Sequence, residues 1–176
     1  YTTNYDCYIA PFPNLWVLRD NVRYFAENKA LHVFEEDTPN TYTGEFGPLR
    51  AYLLARLLWN PYMSEEEFNY HVDDFLEGYF GPGWRSLKEY LEILKETTKD
   101  AHVGCFERVH HLPEFTSEDV HNYVPQPYAK VNKETFLTPF MAHIPKLKAL
   151  WADAVSKARD EAERERILHA RMSLDF

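Results

Sequence analysis

The chain opens with a strand-like run, "YDCYIAP" at residues 5–11, then a helical pattern, then a second strand-like run, "ALHVFEE" at 30–36. Strand, helix and strand in that order imply parallel pairing through a right-handed crossover. Every later periodic segment reads as helix. Two parallel strands cannot cover both of their own faces, because parallel sheets are buried on both sides. Either the opening pairs with sheet that lies outside this chain, or the strand assignments fail; the first is the expectation here. Pro11 and Pro13 stop the first run. Asn14 is expected to cap a helix over 14–28, with Leu15, Leu18, Val22 and Phe25 on one face and Asn28 as its stop.

Helical spacing dominates the rest of the chain. In "LRAYLLARLLWN" Leu49, Leu53, Arg56 and Leu57 fall one turn apart, and Leu54, Leu58 and Trp59 make the segment apolar nearly all round. Pro61 ends it. Ser64 with Glu67 forms a capping box for a helix through Phe68, Val72, Phe75, Leu76 and Tyr79. "GPG" at 81–83 breaks the chain before a helix through Trp84, Leu87, Leu91 and Leu94. Residues 101–131 are aromatic and Pro-interrupted, with a short helix expected near 117–122. Beyond them Pro139 and Pro145 suit first turns or kinks. Leu147, Leu150, Trp151, Ala154, Val155 and Ala158 form a buried stripe, and "RDEAERERI" reads as a solvated face.

A composition of 45% hydrophobic and 16% aromatic residues supplies a real core, so disorder is not expected. The net charge of −9, from 28 acids against 19 bases without a basic stripe, argues against nucleic acid and against an anionic membrane surface. No apolar window reaches the length of a membrane-spanning helix, and no signal peptide is visible. Cys7 and Cys105 fit two free thiols or one bridge.

The segments "NYDCYIAPFPNLWVLRDNVRYFAENKALHVFEED", "EFGPLRAYLLARLLWNP" and "FLEGYFGPGWRSLKEYL" resemble the closing part of a family, domain of unknown function 4838, found in glycan-foraging gut bacteria. That family overlaps a glycoside hydrolase family that cleaves N-glycan cores, and its members resemble the hexosaminidase and α-glucuronidase barrels. The resemblance implies an α/β to mainly α chain: the last two βα units of a (β/α)8 TIM-like barrel, followed by a C-terminal helical bundle. Residues 1–60 would be the C-terminal part of the barrel, with 5–10 and 30–36 as its last strands, 14–28 as the crossover and 48–59 in the outer ring. Residues 61–176 would be a helical appendage packed on it. The implied partners are a glycan substrate and the N-terminal barrel portion of a parent protein, and the implied location is periplasmic or secreted.

Glu35 and Glu36 follow the second strand, at the end where barrel active sites lie. Strand alternation sends them to opposite faces, so at most one points inward. Either could bind sugar hydroxyls or assist a catalytic acid that lies on an absent strand; the plainer alternative is an exposed acid pair in a polar loop. Asn4, Tyr5, Tyr42 and Trp59 are the candidate substrate-binding residues, because aromatic rings beside amides suit a sugar's apolar face and hydroxyl rim. Packing is the rival account for the aromatics, Trp59 above all, and Asn4 precedes its strand, which would set it at the other barrel end. His102, Cys105, His110, His111 and Glu114 include zinc-ligand types but match no standard spacing, so no metal and no cofactor is expected. The function expected is a carbohydrate-active protein; the alternative is a non-catalytic helical scaffold. Exposed strand edges would also invite a homo-oligomer.

Overall fold

The computed structural model describes residues 2–5, 8–37, 45–101, 103–106 and 137–175. Seven α-helices are present among them: α1 Leu18–Glu27, α2 Gly47–Trp59, α3 Glu65–Phe80, α4 Trp84–Thr98, α5 Thr138–Met141, α6 Ile144–Ser156 and α7 Glu161–Asp175. Short 3-10 turns, Leu15–Val17 and Gly81–Gly83, lead into α1 and α4. The fold of the described residues is mainly helical.

Local chemistry sets several of these boundaries. Ser64 Oγ accepts from the Glu67 amide at 3.1 Å, and Glu65, Glu66 and Glu67 place negative charge on the positive first turn of α3. Asn28 closes α1 with its side-chain amide on the Tyr24 carbonyl at 2.8 Å. Pro139 and Pro145 occupy the first turns of α5 and α6, where a missing N–H costs nothing. Gly81 adopts φ +68°, a left-handed conformation that glycine tolerates. A Cβ on Gly83 would come within 2.6 Å of the Ala154 backbone, so glycine is what lets α6 approach the start of α4.

α4 lies at the centre, against α3, α5 and α6, while α7 packs on α3 and α6. α2 joins α3, and α1 lies outermost against α2. One apolar cluster runs through all of them, from Leu15 and Leu18 to Ile167 and Leu174. Its centre is aromatic. Trp151 meets Tyr90 edge-on at 5.1 Å and Phe46 at 5.9 Å, and Phe140 packs on Tyr90 at 5.4 Å. Trp151 and Phe140 have no exposed surface, and burying one such large side chain contributes roughly 1.5–3 kcal/mol.

The expected strands do not form. The described part of 5–10 is turn and bend, and 30–36 is irregular backbone. No strand and no βα unit occurs among the described residues. A strand exists only when a neighbour pairs with its backbone, and among the described residues no backbone bond joins the two segments; the Glu36 carbonyl takes the Thr2 amide at 3.0 Å instead. Leu31 and Phe34, which a paired strand in a sheet would bury, are 88% and 85% exposed.

Other expectations need correcting on the same physical ground. Asn14 makes no capping bond, because its Oδ1 instead accepts from Arg50 Nε at 3.1 Å. Arg56 lies outside the buried stripe, with its guanidinium 5.4 Å from the Tyr52 ring centre, and Arg50 is the arginine buried on α2. The charged run at 159–167, most of it in α7, is not solvated throughout. Glu163 is buried, taking the Arg159 amide and Nε at 2.8 Å each. The short helix expected near 117–122 lies outside the described residues.

Candidate functional site

An open groove of about 920 Å³ lies between α1, residues 30–35, the C-terminal end of α4 and residues 101–105. Leu54 of α2 also lines it. The turn that precedes α1 carries Asn14 and Trp16 into the lining, and the irregular segment contributes His32 and Glu35. Lys95 comes from the last turns of α4, and Cys105, a free thiol, is also in the lining. Lys95 Nζ stands 4.5 Å from the Trp16 ring centre, a cation over an aromatic face. Among the described residues the Glu35 carboxylate has no hydrogen bond and no ion pair. The groove therefore combines an aromatic ring, a side-chain amide, an imidazole and an uncommitted carboxylate.

A second polar assembly lies beneath the groove's edge. Glu45 and Arg50 are buried, 3.5 Å apart between Oε2 and Nη2. Glu45 Oε2 accepts the Phe12 amide at 3.0 Å, while Arg50 Nη2 donates to the Phe12 carbonyl at 2.7 Å. Both backbone groups of one residue are thus held by one ion pair. Glu45 Oε1 accepts from Tyr90 Oη at 2.6 Å and from Ser173 Oγ at 3.4 Å, tying α4 and α7 to the same point. Arg50 Nη1 also donates to the Glu45 carbonyl. Burial raises the Glu45 carboxyl above its ordinary value, against the pull of the Arg50 charge and of its hydrogen bonds. Burial likewise lowers Arg50, and the phenol of Tyr90 is pushed well up by burial and by the Glu45 charge. Every carboxylate oxygen is engaged, so this assembly holds Phe12 and Asn14 in place and offers no open face to a substrate.

Of the six residues singled out from the sequence, Glu35 alone lines the groove among the described residues. Glu36 lies next to it without lining it, and its carbonyl takes the Thr2 amide and hydroxyl. Asn4 is buried away from the groove. Tyr5 stacks 5.5 Å from Phe106, and its amide donates to the Cys105 carbonyl at 2.6 Å. Trp59, for which core packing was the rival account, is 91% exposed at the end of α2 and belongs to neither core nor groove. Tyr42 lies outside the described residues, as do His102, His110, His111 and Glu114. No group of three metal-ligating side chains occurs among the described residues. Trp16, Lys95, Glu45 and Arg50 were missed. Trp16 sits one residue off the Leu15–Leu18–Val22 stripe, and "GEFGPLR" gives no sign that its two charges fold inward onto each other.

Residues 1–92 match the family described as Domain of unknown function (DUF4838). The chain belongs to this family. Asn14, Trp16, His32, Glu35, Glu45, Arg50 and Tyr90 fall inside the part shared with other DUF4838 members, whereas Lys95, Cys105 and Ser173 fall beyond it. No curated protein and no solved structure matches the chain. Among its described residues no helix is long and apolar enough to cross a membrane.

Proposed function

We propose that this chain is the C-terminal part of a glycoside hydrolase-like protein acting on glycans, N-acetylglucosamine-containing ones among them. The observation that carries the reading is the Glu35 carboxylate, unengaged in a groove that also holds Trp16, Asn14 and His32. A sugar offers an apolar ring face to an aromatic and hydroxyls to amides and carboxylates. Hydrolysis needs an acid beside the leaving oxygen and a second group flanking the sugar, a role the substrate's own acetamido group takes in some enzymes. Glu35 contributes to the cleft, and the principal acid lies on polypeptide outside this chain. In this reading residues 5–10 and 30–36 become the last two barrel strands once earlier strands lie alongside them.

The test is glycan release by the parent protein carrying this chain, compared with its Glu35→Gln and Glu36→Gln variants. The expected result is a fall of about tenfold or more in kcat/KM for Glu35→Gln, with Glu36→Gln close to native. Unchanged turnover in both would remove the acids from the mechanism. A second reading, a non-catalytic scaffold, is favoured by a separate observation: the exposed Leu31 and Phe34 offer a docking surface. A parent protein inert across a broad glycan panel would select it.

A further inference from the structure

The groove reverses the charge balance of the chain around it. Across the sequence acids outnumber bases 28 to 19. Among the described residues, however, the Lys, Arg, Asp and Glu side chains in the groove lining are Lys95, Lys99 and Glu35. Lys99 is answered by Glu96, which lies outside the lining. Lys95 is unanswered: among the described residues it makes no hydrogen bond and no ion pair. Glu92 stands three residues before it on α4, within reach of an ordinary helical ion pair. The ammonium is held instead over the Trp16 ring.

A cation on an aromatic face keeps its full charge and gives none of its three N–H donors to a side-chain oxygen. Trp16 is itself fixed edge-on to Phe68 at 6.3 Å, so the indole sets where the ammonium stands. The negative end of the α4 dipole accounts for a lysine in the last turn, but not for its meeting an indole rather than Glu92. We infer that Lys95 makes the groove selective for a glycan bearing an anionic group, a carboxylate or a sulfate ester. The ammonium meets that group with a charge-assisted hydrogen bond. Trp16 is the positioning residue for the ammonium, and Glu35 is left for the sugar's hydroxyls. This selectivity rests on the groove's being a glycan site, as proposed for Glu35, and adds the class of sugar to it.

The experiment is isothermal titration calorimetry of the whole chain with two matched pairs of oligosaccharides. One pair is a tetrasaccharide alternating glucuronic acid and N-acetylglucosamine, and the same sugar with its carboxyls reduced to alcohols. The other is an N-acetylglucosamine trisaccharide with and without sulfate esters. At least one anionic sugar is expected to bind about tenfold or more tighter than its neutral twin, with the advantage shrinking as salt rises. A preference confined to the first pair assigns the carboxylate, and one confined to the second assigns the sulfate ester. Lys95→Gln should bring the twins within about twofold of each other while thermal unfolding and affinity for the neutral twin stay as they were. Lys95→Arg should keep the preference. A preference that survives Lys95→Gln would overturn the role of Lys95, and equal affinity for the twins in the native chain would overturn the anionic class. Either result would leave the carbohydrate reading standing. Absence of binding by all four sugars would overturn the selectivity and the carbohydrate reading of the groove together.

Discussion

Two loops of this molecule each carry a glutamate and treat it in opposite ways. Glu45 sits at the entry to α2 with its carboxylate out of solvent, shared among the Phe12 amide, Arg50, Tyr90 and Ser173. Glu35 ends a stretch whose backbone and side chains are bonded to nothing among the described residues. The first arrangement fixes structure: four separate parts of the chain meet at one carboxylate, and the residue has no capacity left for a ligand. The second leaves its capacity unspent. A buried charge must be fully matched because leaving it unpaired is costly, whereas a groove carboxylate can wait for its partner.

The contrast can be attacked first where it should be strongest. Arg50→Met leaves the Glu45 carboxylate and the Phe12 carbonyl buried without their cation, and should cost about 3–5 kcal/mol in urea unfolding. A loss of less than about 1 kcal/mol would mean that the pair is not the keystone of this region. Tyr90→Phe removes one donor to the same carboxylate, and about 1.5–3 kcal/mol is expected by the same measurement.

Acidity sharpens the comparison from within the buried class. Glu45 has a raised pKa, so its contribution to stability is present below the ordinary value of 4.5 and declines as pH rises through the raised one. Glu163 is held below its ordinary value by hydrogen bonds from Arg159, so its contribution is present above 4.5 and is lost as pH falls through the lowered one. Unfolding curves across this range should therefore lose less on acidification in Glu163→Gln than in the native chain. Glu45→Gln should instead lose less as pH climbs above 4.5. The same sign in both variants would break the distinction. The smallest effect belongs to Glu35→Gln, expected to stay within about 0.5 kcal/mol of native stability because no internal bond is lost. A larger loss would show that Glu35 has a structural partner after all.

Much of the helical frame was legible because helix formation is local. The Ser64–Glu67 cap, the prolines of α5 and α6, the Asn28 stop and the Leu147–Trp151–Ala154 stripe depend on neighbours within a few residues. The errors arose wherever a distant partner decides. Trp59 reads as core in an apolar helix, yet no described element covers it. Asn14 has the right residue type for a cap, yet Arg50, far along the chain, takes its oxygen. Of the candidate site, the sequence pointed to Glu35 through its place after an apolar run, but not to Trp16 and Lys95, which meet only when the approach to α1 and the end of α4 converge.

The amino-acid order alone determined where most helices begin and end and which of their faces turn inward, since periodicity and capping act over one or two turns. Tertiary structure alone decided which charges are buried, which aromatics stay wet, and that residues 30–36 are irregular backbone. Burial and strand pairing both require surfaces from remote parts of a polypeptide. A segment that meets no partner among the described residues keeps its apolar side chains and its backbone groups facing water.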